Sequence, residues 1–141
     1  MTIGISRIPL IRARFQGVSR VEVRDSTLHR RSELYFDALE VMRRDYSNEE
    51  LCLTRVARQI ATSRRQLQRS FSEAGGTSFR RELQRIRMSR AADLLHDGRM
   101  SVQEVAAAVG YRQAAQFAKA FRRSHGAPPS SFRRTNGRLA A

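Results

Sequence analysis

An internal repeat constrains the fold of this chain more than any other feature of its sequence. Four apolar residues recur after 49 positions, and the matched pairs are Leu53 with Val102, Val56 with Val105, Ala57 with Ala106, and Ile60 with Val109. Three further pairs follow at an offset of 50, namely Leu67 with Phe117, Phe71 with Phe121, and Gly76 with Gly126. The added residue falls at Gly110-Tyr111, where glycine suits a tight turn. The chain therefore contains two copies of one small unit.

Each unit is predicted to be a short helix, a tight turn and a second helix. In the first unit the apolar spacing over residues 53–60 is helical, and Ser63 is placed to cap a second helix that buries Leu67 and Phe71. In the second unit Ser101-Val102-Gln103-Glu104 has the pattern of a capping box. This order of elements is the helix-turn-helix pattern.

A longer helix is predicted between the two units, from Ser78 to about Asp97, with Gly98 ending it. Its inner side consists of Phe79, Leu83, Ile86, Leu94 and Leu95. About 20 residues in a helix span roughly 30 Å, and two helices that enter successive major grooves on one face of DNA lie about 34 Å apart. The sequence therefore predicts an all-α fold in which a long linker helix joins two helix-turn-helix subdomains.

About seven helices are expected, preceded by a mostly irregular basic arm. A helix is predicted to begin at Ser32 as its N-cap, and its apolar stripe consists of Tyr35, Leu39, Met42 and Tyr46. The predicted divisions are an arm at residues 1–31, a first subdomain with the linker helix at 32–98, a second subdomain at 99–135, and a tail at 136–141.

The charge of the chain is large and unevenly distributed. Lys and Arg number 27 against 13 Asp and Glu, for a net charge of +14, of which +13 belongs to residues 51–141. Such an excess indicates a polyanionic partner, and guanidinium groups suit phosphates and base edges. An arginine-biased genome would produce the same excess without a function. Residues 32–50 carry a net charge of −4 and are expected to face away from the polyanion.

The two units resemble the DNA-binding domain of the AraC/XylS family of bacterial transcription regulators. The resemblance covers about residues 35 to 134, and its strongest part comprises Val105-Ala106, Val109-Gly110-Tyr111, Phe117, Phe121-Arg122-Arg123, Gly126, Pro129 and Phe132-Arg133. It implies a two-lobed, seven-helix domain that binds double-stranded DNA as a regulator, usually an activator that contacts RNA polymerase. Tyr111 departs from the usual Phe, and Pro128 from the usual Thr or Ser. Most members carry a further sensing or dimerising domain, so the chain is expected to be a single-domain member or a fragment.

The residues that read DNA bases are predicted from the outward faces of the second helices. Once Leu67 and Phe71 point inward, the opposite face of the first such helix carries arginine and glutamine, which can pair with guanine and adenine. The same reasoning applies to the second unit, and these positions coincide with those used for base contact in the family. The candidate base-reading residues are Arg65, Gln68, Arg69, Gln113, Gln116 and Lys119.

DNA phosphates are expected to be held by backbone N–H groups at helix starts and by arginine side chains. Such contacts position a protein on DNA without reading its sequence. For each arginine the alternative is an ordinary exposed side chain. The candidate phosphate-binding residues are Arg55, Arg64, Arg80, Arg112, Arg122 and Arg123.

No catalytic site, metal site or cofactor is predicted. His29, His96 and His125 are scattered and lack the companions of a zinc site or a catalytic triad. Cys52 is the single cysteine, which fits a reducing compartment, and no apolar run is long enough to span a membrane. We expect a cytoplasmic, nucleoid-associated protein that binds DNA as a monomer, with a dimer left open.

Sequence-specific regulation of transcription, most often activation, is the preferred function. One alternative is a non-specific architectural DNA-binding protein. Another is an interaction module in which the helix at residues 32–47, with Phe36 exposed, docks a partner or a second copy. Neither alternative explains why two helix-turn-helix units are held one DNA turn apart.

Overall fold

The computed structural model describes the backbone of residues 7–133 and the side chains of residues 23–133. The helices are α1 Arg7–Asp45, α2 Leu53–Gln59, α3 Arg64–Glu73, α4 Phe79–Asp97, α5 Val102–Ala108, α6 Ala114–His125 and α7 at residues 129–133. No strand occurs within residues 7–133. The prediction of an all-α fold with about seven helices is confirmed.

The N-terminal part of the chain differs from the prediction. The prediction of a mostly irregular arm at residues 1–31 is wrong for residues 7–31, because α1 begins at Arg7. Ser32 is not an N-cap, since its hydroxyl donates to the carbonyl of Leu28 one turn earlier (3.1 Å). Extending an existing helix costs far less than starting one, so the residues ahead of a stable helical segment join it. Residues 1–6 and the predicted tail at 136–141 lie outside the described residues.

The first hydrophobic core joins α1, α2, α3 and the first half of α4. Its fully buried members include Ala38, Met42, Val56, Leu67 and Phe71. The ring of Phe71 lies edge-on to Tyr35 and Phe79, with ring centroids 5.2 Å and 5.6 Å apart. The predicted inward positions of the first unit are therefore confirmed.

The second core joins the second half of α4 with α5, α6 and α7. Its buried members include Met88, Leu95, Val105, Val109, Phe117 and Phe121. Helix α4 contributes to both cores, because Ile86 packs in the first and Met88 in the second. The linker helix thus packs in both cores and fixes one unit against the other.

The structure extends the internal repeat to a third helix in each unit. At an offset of 49, the C-terminal half of α1 corresponds to α4, and the buried pairs are Leu34 with Leu83, Leu39 with Met88, and Met42 with Ala91. Each unit is therefore three helices, α1-α2-α3 and α4-α5-α6. Only the first pair is identical, and the residues differ in the other two, so the correspondence is weak in the sequence.

The other predicted serine caps form as expected. The hydroxyls of Ser63 and Ser78 accept hydrogen bonds from backbone N–H groups three residues on, and Ser101 with Glu104 forms the complete capping box. Gly98 ends α4 in the left-handed conformation. These bonds satisfy helix-end N–H groups that would otherwise be unpaired and hold the start of α3 in place.

Candidate nucleic-acid interface

Helix α3 presents a continuous polar face to solvent. Leu67, Ser70 and Phe71 are buried on its inner side, and the Ser70 hydroxyl donates to the carbonyl of Gln66 (2.9 Å). The three predicted base-reading residues of the first unit are exposed, namely Arg65, Gln68 and Arg69. Because residues three and four apart share a helix face, these side chains form one polar surface.

Helix α6 is built in the same way around its own anchors. Phe117 and Phe121 are fully buried, whereas Gln116 and Lys119 are exposed. Gln113 is the N-cap residue of α6, with an extended backbone and no side-chain capping bond, and its side chain is exposed. Its side-chain amide therefore makes no capping hydrogen bond and stays accessible to solvent. The structure brings the three residues together at the N-terminal half of α6.

The predicted phosphate-binding arginines fall into two groups. Those without an ion-pair partner among the side chains of residues 23–133 are Arg64, Arg80, Arg122 and Arg123. All four are exposed. They have the charge and access that a phosphate contact requires, while their contact with DNA stays a prediction.

The other two arginines are paired with carboxylates of the loop between α1 and α2. Arg55 donates to Glu50 (2.9 Å), and Arg112 forms an ion pair with Glu49 and approaches Glu50 at 3.7 Å. Because Arg55 lies in the first unit and Arg112 in the second, one loop contacts both units. DNA phosphates would have to compete with these carboxylates. The sequence carries no signal for the Arg112 pairs, whose members lie more than 60 residues apart.

Arg87 of α4 is a structural residue that the sequence did not single out. Its guanidinium donates to the carbonyls of Tyr46 (2.9 Å) and Asn48 (2.8 Å), and it lies 5.7 Å from the Tyr111 ring. Burial lowers the pKa of Arg87 and raises the pKa of Tyr111. The guanidinium of arginine stays protonated in proteins, so Arg87 is a cation that ties the end of α1 to the second unit.

Gly110 lies close to the residue that follows α1. A Cβ atom there would lie 2.8 Å from the carbonyl oxygen of Tyr46 and 2.9 Å from Arg87, and the residue has φ +86°. The sequence predicted only the turn. The structure adds a steric requirement, because the offending atom at the shortest distance belongs to the backbone.

Replacing Gly110 by alanine is expected to destabilise the protein more than the same change at Gly98. Both residues have positive φ, so each variant costs about 1–2 kcal/mol in backbone strain. A Cβ atom at Gly98 would have nothing within 4 Å of it, whereas at Gly110 overpacking adds about 1–3 kcal/mol. Urea unfolding of both variants measures the difference. Equal losses would show that the turn alone, and not the approach of α1, requires glycine.

A cleft of about 880 Å³ lies between the first half of α4 and α6 and is called the inter-unit cleft below. One side carries Arg80, Gln84 and Arg87, and the other carries Gln116, Lys119 and Arg123. Two predicted phosphate-binding arginines thus share a concave surface with two predicted base-reading residues. No acidic side chain lines this cleft, so within the described residues its field is that of a cationic groove.

The described residues contain no grouping that indicates a metal site or membrane span. No cluster of three or more metal-ligating side chains occurs among them, and none of their helices is long and apolar enough to cross a membrane. Exposed His29 lies 3.4 Å from Glu33, and the ring of His125 stacks on Phe121. These histidines are accounted for by helix and core contacts.

Each of the two packed units buries a helix-turn-helix core and exposes the polar face of its second helix. This arrangement defines a DNA-binding protein of the helix-turn-helix class. A model of the helix-turn-helix domain family matches residues 56–135, more than half of the chain. The chain belongs to the AraC family of helix-turn-helix transcription regulators.

Curated relatives agree with this assignment. The chain is 38% identical over 84 residues to the HTH-type transcriptional regulator GlxA of Rhizobium meliloti, covering 60% of this chain and 26% of that protein. It is 34% identical over 89 residues to the HTH-type transcriptional activator RhaS of Salmonella arizonae, covering 63% and 32%. The chain thus matches about a quarter to a third of the length of these relatives.

Solved structures show the same fold. The C-terminal domain of AraT, a response regulator from Geobacillus stearothermophilus, matches with a TM-score of 0.70 and 32% identity, over 72% of this chain and 84% of that one. The DNA-binding domain of AdpA, a global transcriptional factor solved in complex with a target DNA, matches with a TM-score of 0.63 and 28% identity, over 74% and 90%.

Proposed function

We propose that this protein regulates transcription by placing α3 and α6 in successive major grooves on one face of its DNA site. The observation that carries the proposal is the equivalence of the two helices. Each buries two large anchors at the same spacing, and each exposes polar and cationic side chains on the opposite face. A polar helix face of this kind can reach base edges in the major groove.

The length of the linker helix supports this placement. Helix α4 has 19 residues, which corresponds to about 28 Å at 1.5 Å per residue. The grooves on one face of DNA repeat after about 34 Å. Because α4 belongs to both cores and Arg87 ties the units together, α3 and α6 are held in a fixed relative position.

Selection of bound duplexes from a random pool is the experiment that tests the proposal. We expect two short conserved boxes about 10 base pairs apart, because each unit reads one groove and the grooves repeat once per DNA turn. A single unrepeated box would contradict reading by two units. Equal competition by random and selected duplexes would instead favour the alternative, a non-specific architectural DNA-binding protein.

Replacing Arg69 by alanine is expected to weaken binding to the selected duplex by about 1–3 kcal/mol and to weaken binding to random DNA much less. The reason is that a bidentate arginine–guanine contact exists on the preferred site and is lost with the side chain. Fluorescence anisotropy with both duplexes measures the two changes. Arg43→Ala is the control, because Arg43 is exposed on the acidic half of α1. Equal weakening on both duplexes would reassign Arg69 to a phosphate contact.

We further propose that the protein activates transcription, contacts RNA polymerase, and acts in the cytoplasm on nucleoid DNA. The support is its family, in which RhaS is named an activator, and a chain with no membrane-spanning helix among its described residues. A reporter gene placed behind the selected site gives the sign of regulation. Sedimentation with one duplex separates a bound monomer from a dimer formed through the exposed Phe36.

A further inference from the structure

A second cleft lies beside α3, between that helix and α1, and is called the α1–α3 cleft. Its volume is about 340 Å³. Helix α1 contributes Ser26, Thr27, Arg30 and Arg31 to its lining, and α3 contributes Gln66 and Arg69. Arg69 also belongs to the polar face predicted to read bases, so the cleft opens on the same side of the protein as that face.

The charge of the α1–α3 cleft suits an anion. Arg31 is ion-paired with Glu73, whereas Arg30 and Arg69 have no ion-pair partner among the side chains of residues 23–133. The hydroxyls of Ser26 and Thr27 donate to the carbonyl of Val23. The lining contains no carboxylate, so two guanidinium groups face the cleft without a counter-charge from described residues.

The internal repeat places this cleft opposite a counterpart in the second unit. At an offset of 50, Gln66, Arg69 and Glu73 correspond to Gln116, Lys119 and Arg123, three residues on the edge of α6 that borders the inter-unit cleft. At an offset of 49, Arg31 corresponds to Arg80. Both clefts therefore border the same edge of a second helix.

The two edges differ in charge at one position, where the sign is reversed. Where the second unit has Arg123, the first unit has Glu73, and that carboxylate holds Arg31. The first unit thus loses the cation that corresponds to Arg80. Arg30, the preceding residue of α1, supplies an unpaired cation in the same cleft.

We propose that the α1–α3 cleft binds a backbone phosphate of DNA through Arg30, on the strand that borders the groove entered by α3. The site depends on the part of α1 ahead of Ser32, because Ser26, Thr27 and Arg30 lie there. It rests on the proposed function, since α3 must lie in a groove for a strand to reach the cleft. A phosphate contact of this kind strengthens binding without reading sequence.

Arg30→Gln in the full chain tests the site against Arg43→Gln, which removes the same charge from α1. Arg43 lies two helical turns from exposed Phe36 and so on the same outer face, away from the cleft. Arg30→Gln is expected to weaken binding equally on selected and random duplexes and to lower the slope of log affinity against log salt by about 1. When salt rises from 50 to 200 mM, the factor by which affinity falls is therefore about 4-fold smaller for this variant than for the wild type. Arg43→Gln keeps the wild-type slope, and Arg30→Lys restores it.

Single phosphates of the selected duplex can also be replaced by neutral methylphosphonates. At one position beside the groove entered by α3, this replacement is expected to lower the affinity of the wild type and of Arg43→Gln several-fold. The affinity of Arg30→Gln is expected to stay unchanged. If Arg30→Gln keeps the wild-type salt slope and no phosphate position behaves in this way, the cleft proposal is wrong and the proposed function still stands. If the wild type binds selected and random duplexes equally well, the proposed function is wrong instead. The salt slopes on random DNA then still show whether Arg30 contacts a phosphate.

Discussion

Replacing Phe121 by alanine is expected to lower the free energy of unfolding of the second unit by about 3–5 kcal/mol. Phe121 is fully buried, and its ring contacts Phe117, His125 and Phe132, with centroids 5.8, 4.4 and 5.6 Å away. The core of a three-helix unit is small, so few neighbours can collapse into the space left. Urea unfolding monitored by circular dichroism measures the loss.

Phe36→Ala is the matched control, because Phe36 is 62% exposed and lies on α1 outside both cores. A change within about 0.5 kcal/mol is expected for such a surface residue. Footprinting adds a second measurement. Phe121→Ala should lose protection of the box read by α6 and retain protection of the other box. Similar destabilisation by the two variants would show that the Phe121 contacts do not organise the second unit.

The affinity for DNA is expected to fall by about 10³–10⁵ between 50 and 200 mM salt, if 6–10 phosphates are engaged. The reason is the release of counterions from the duplex when arginine neutralises its phosphates. The net charge of +14 and the unpaired arginines around α3, α4 and α6 provide the required cations. Anisotropy titrations at several salt concentrations give the slope, and a flat titration would refute this role of the charge.

A companion variant shows whether the paired arginines also reach DNA. Changing Glu49 and Glu50 to glutamine removes the carboxylates that hold Arg55 and Arg112. If both arginines then contact phosphates, the slope becomes steeper by up to about 2, at roughly 0.9 per phosphate. The unfolding midpoint of the same variant reports whether the pairs also hold the units together. An unchanged slope would remove Arg55 and Arg112 from the interface.

Most of the fold follows from patterns within single helices. The buried anchors Leu67 and Phe71, the capping serines and the glycine that ends α4 lie where their spacing predicts. The extent of α1 could not be predicted in this way. Val18 to Val23 alternates like a strand, yet the structure continues the helix through it, because no partner strand exists within the described residues to pair with that segment.

The candidate interface could be predicted less completely. Exposure of Arg65, Gln68 and Arg69 follows from helix geometry once the opposite face is apolar. The pairing of Arg112 with Glu49 does not, since the two residues lie 63 positions apart and meet only after the units pack. The same is true of Arg87 and Tyr46, which lie 41 positions apart.

The sequence by itself determined that the chain has two copies of a helical unit, which faces of their helices are buried, and where most of the helices begin and end. These properties depend on spacing and capping within one or two turns, so they can be read locally. Only the tertiary structure decided that α1 extends beside α3, that two clefts border the second helices, and which arginines remain unpaired. Those properties depend on how helices distant in sequence cross, and local periodicity does not encode a crossing angle.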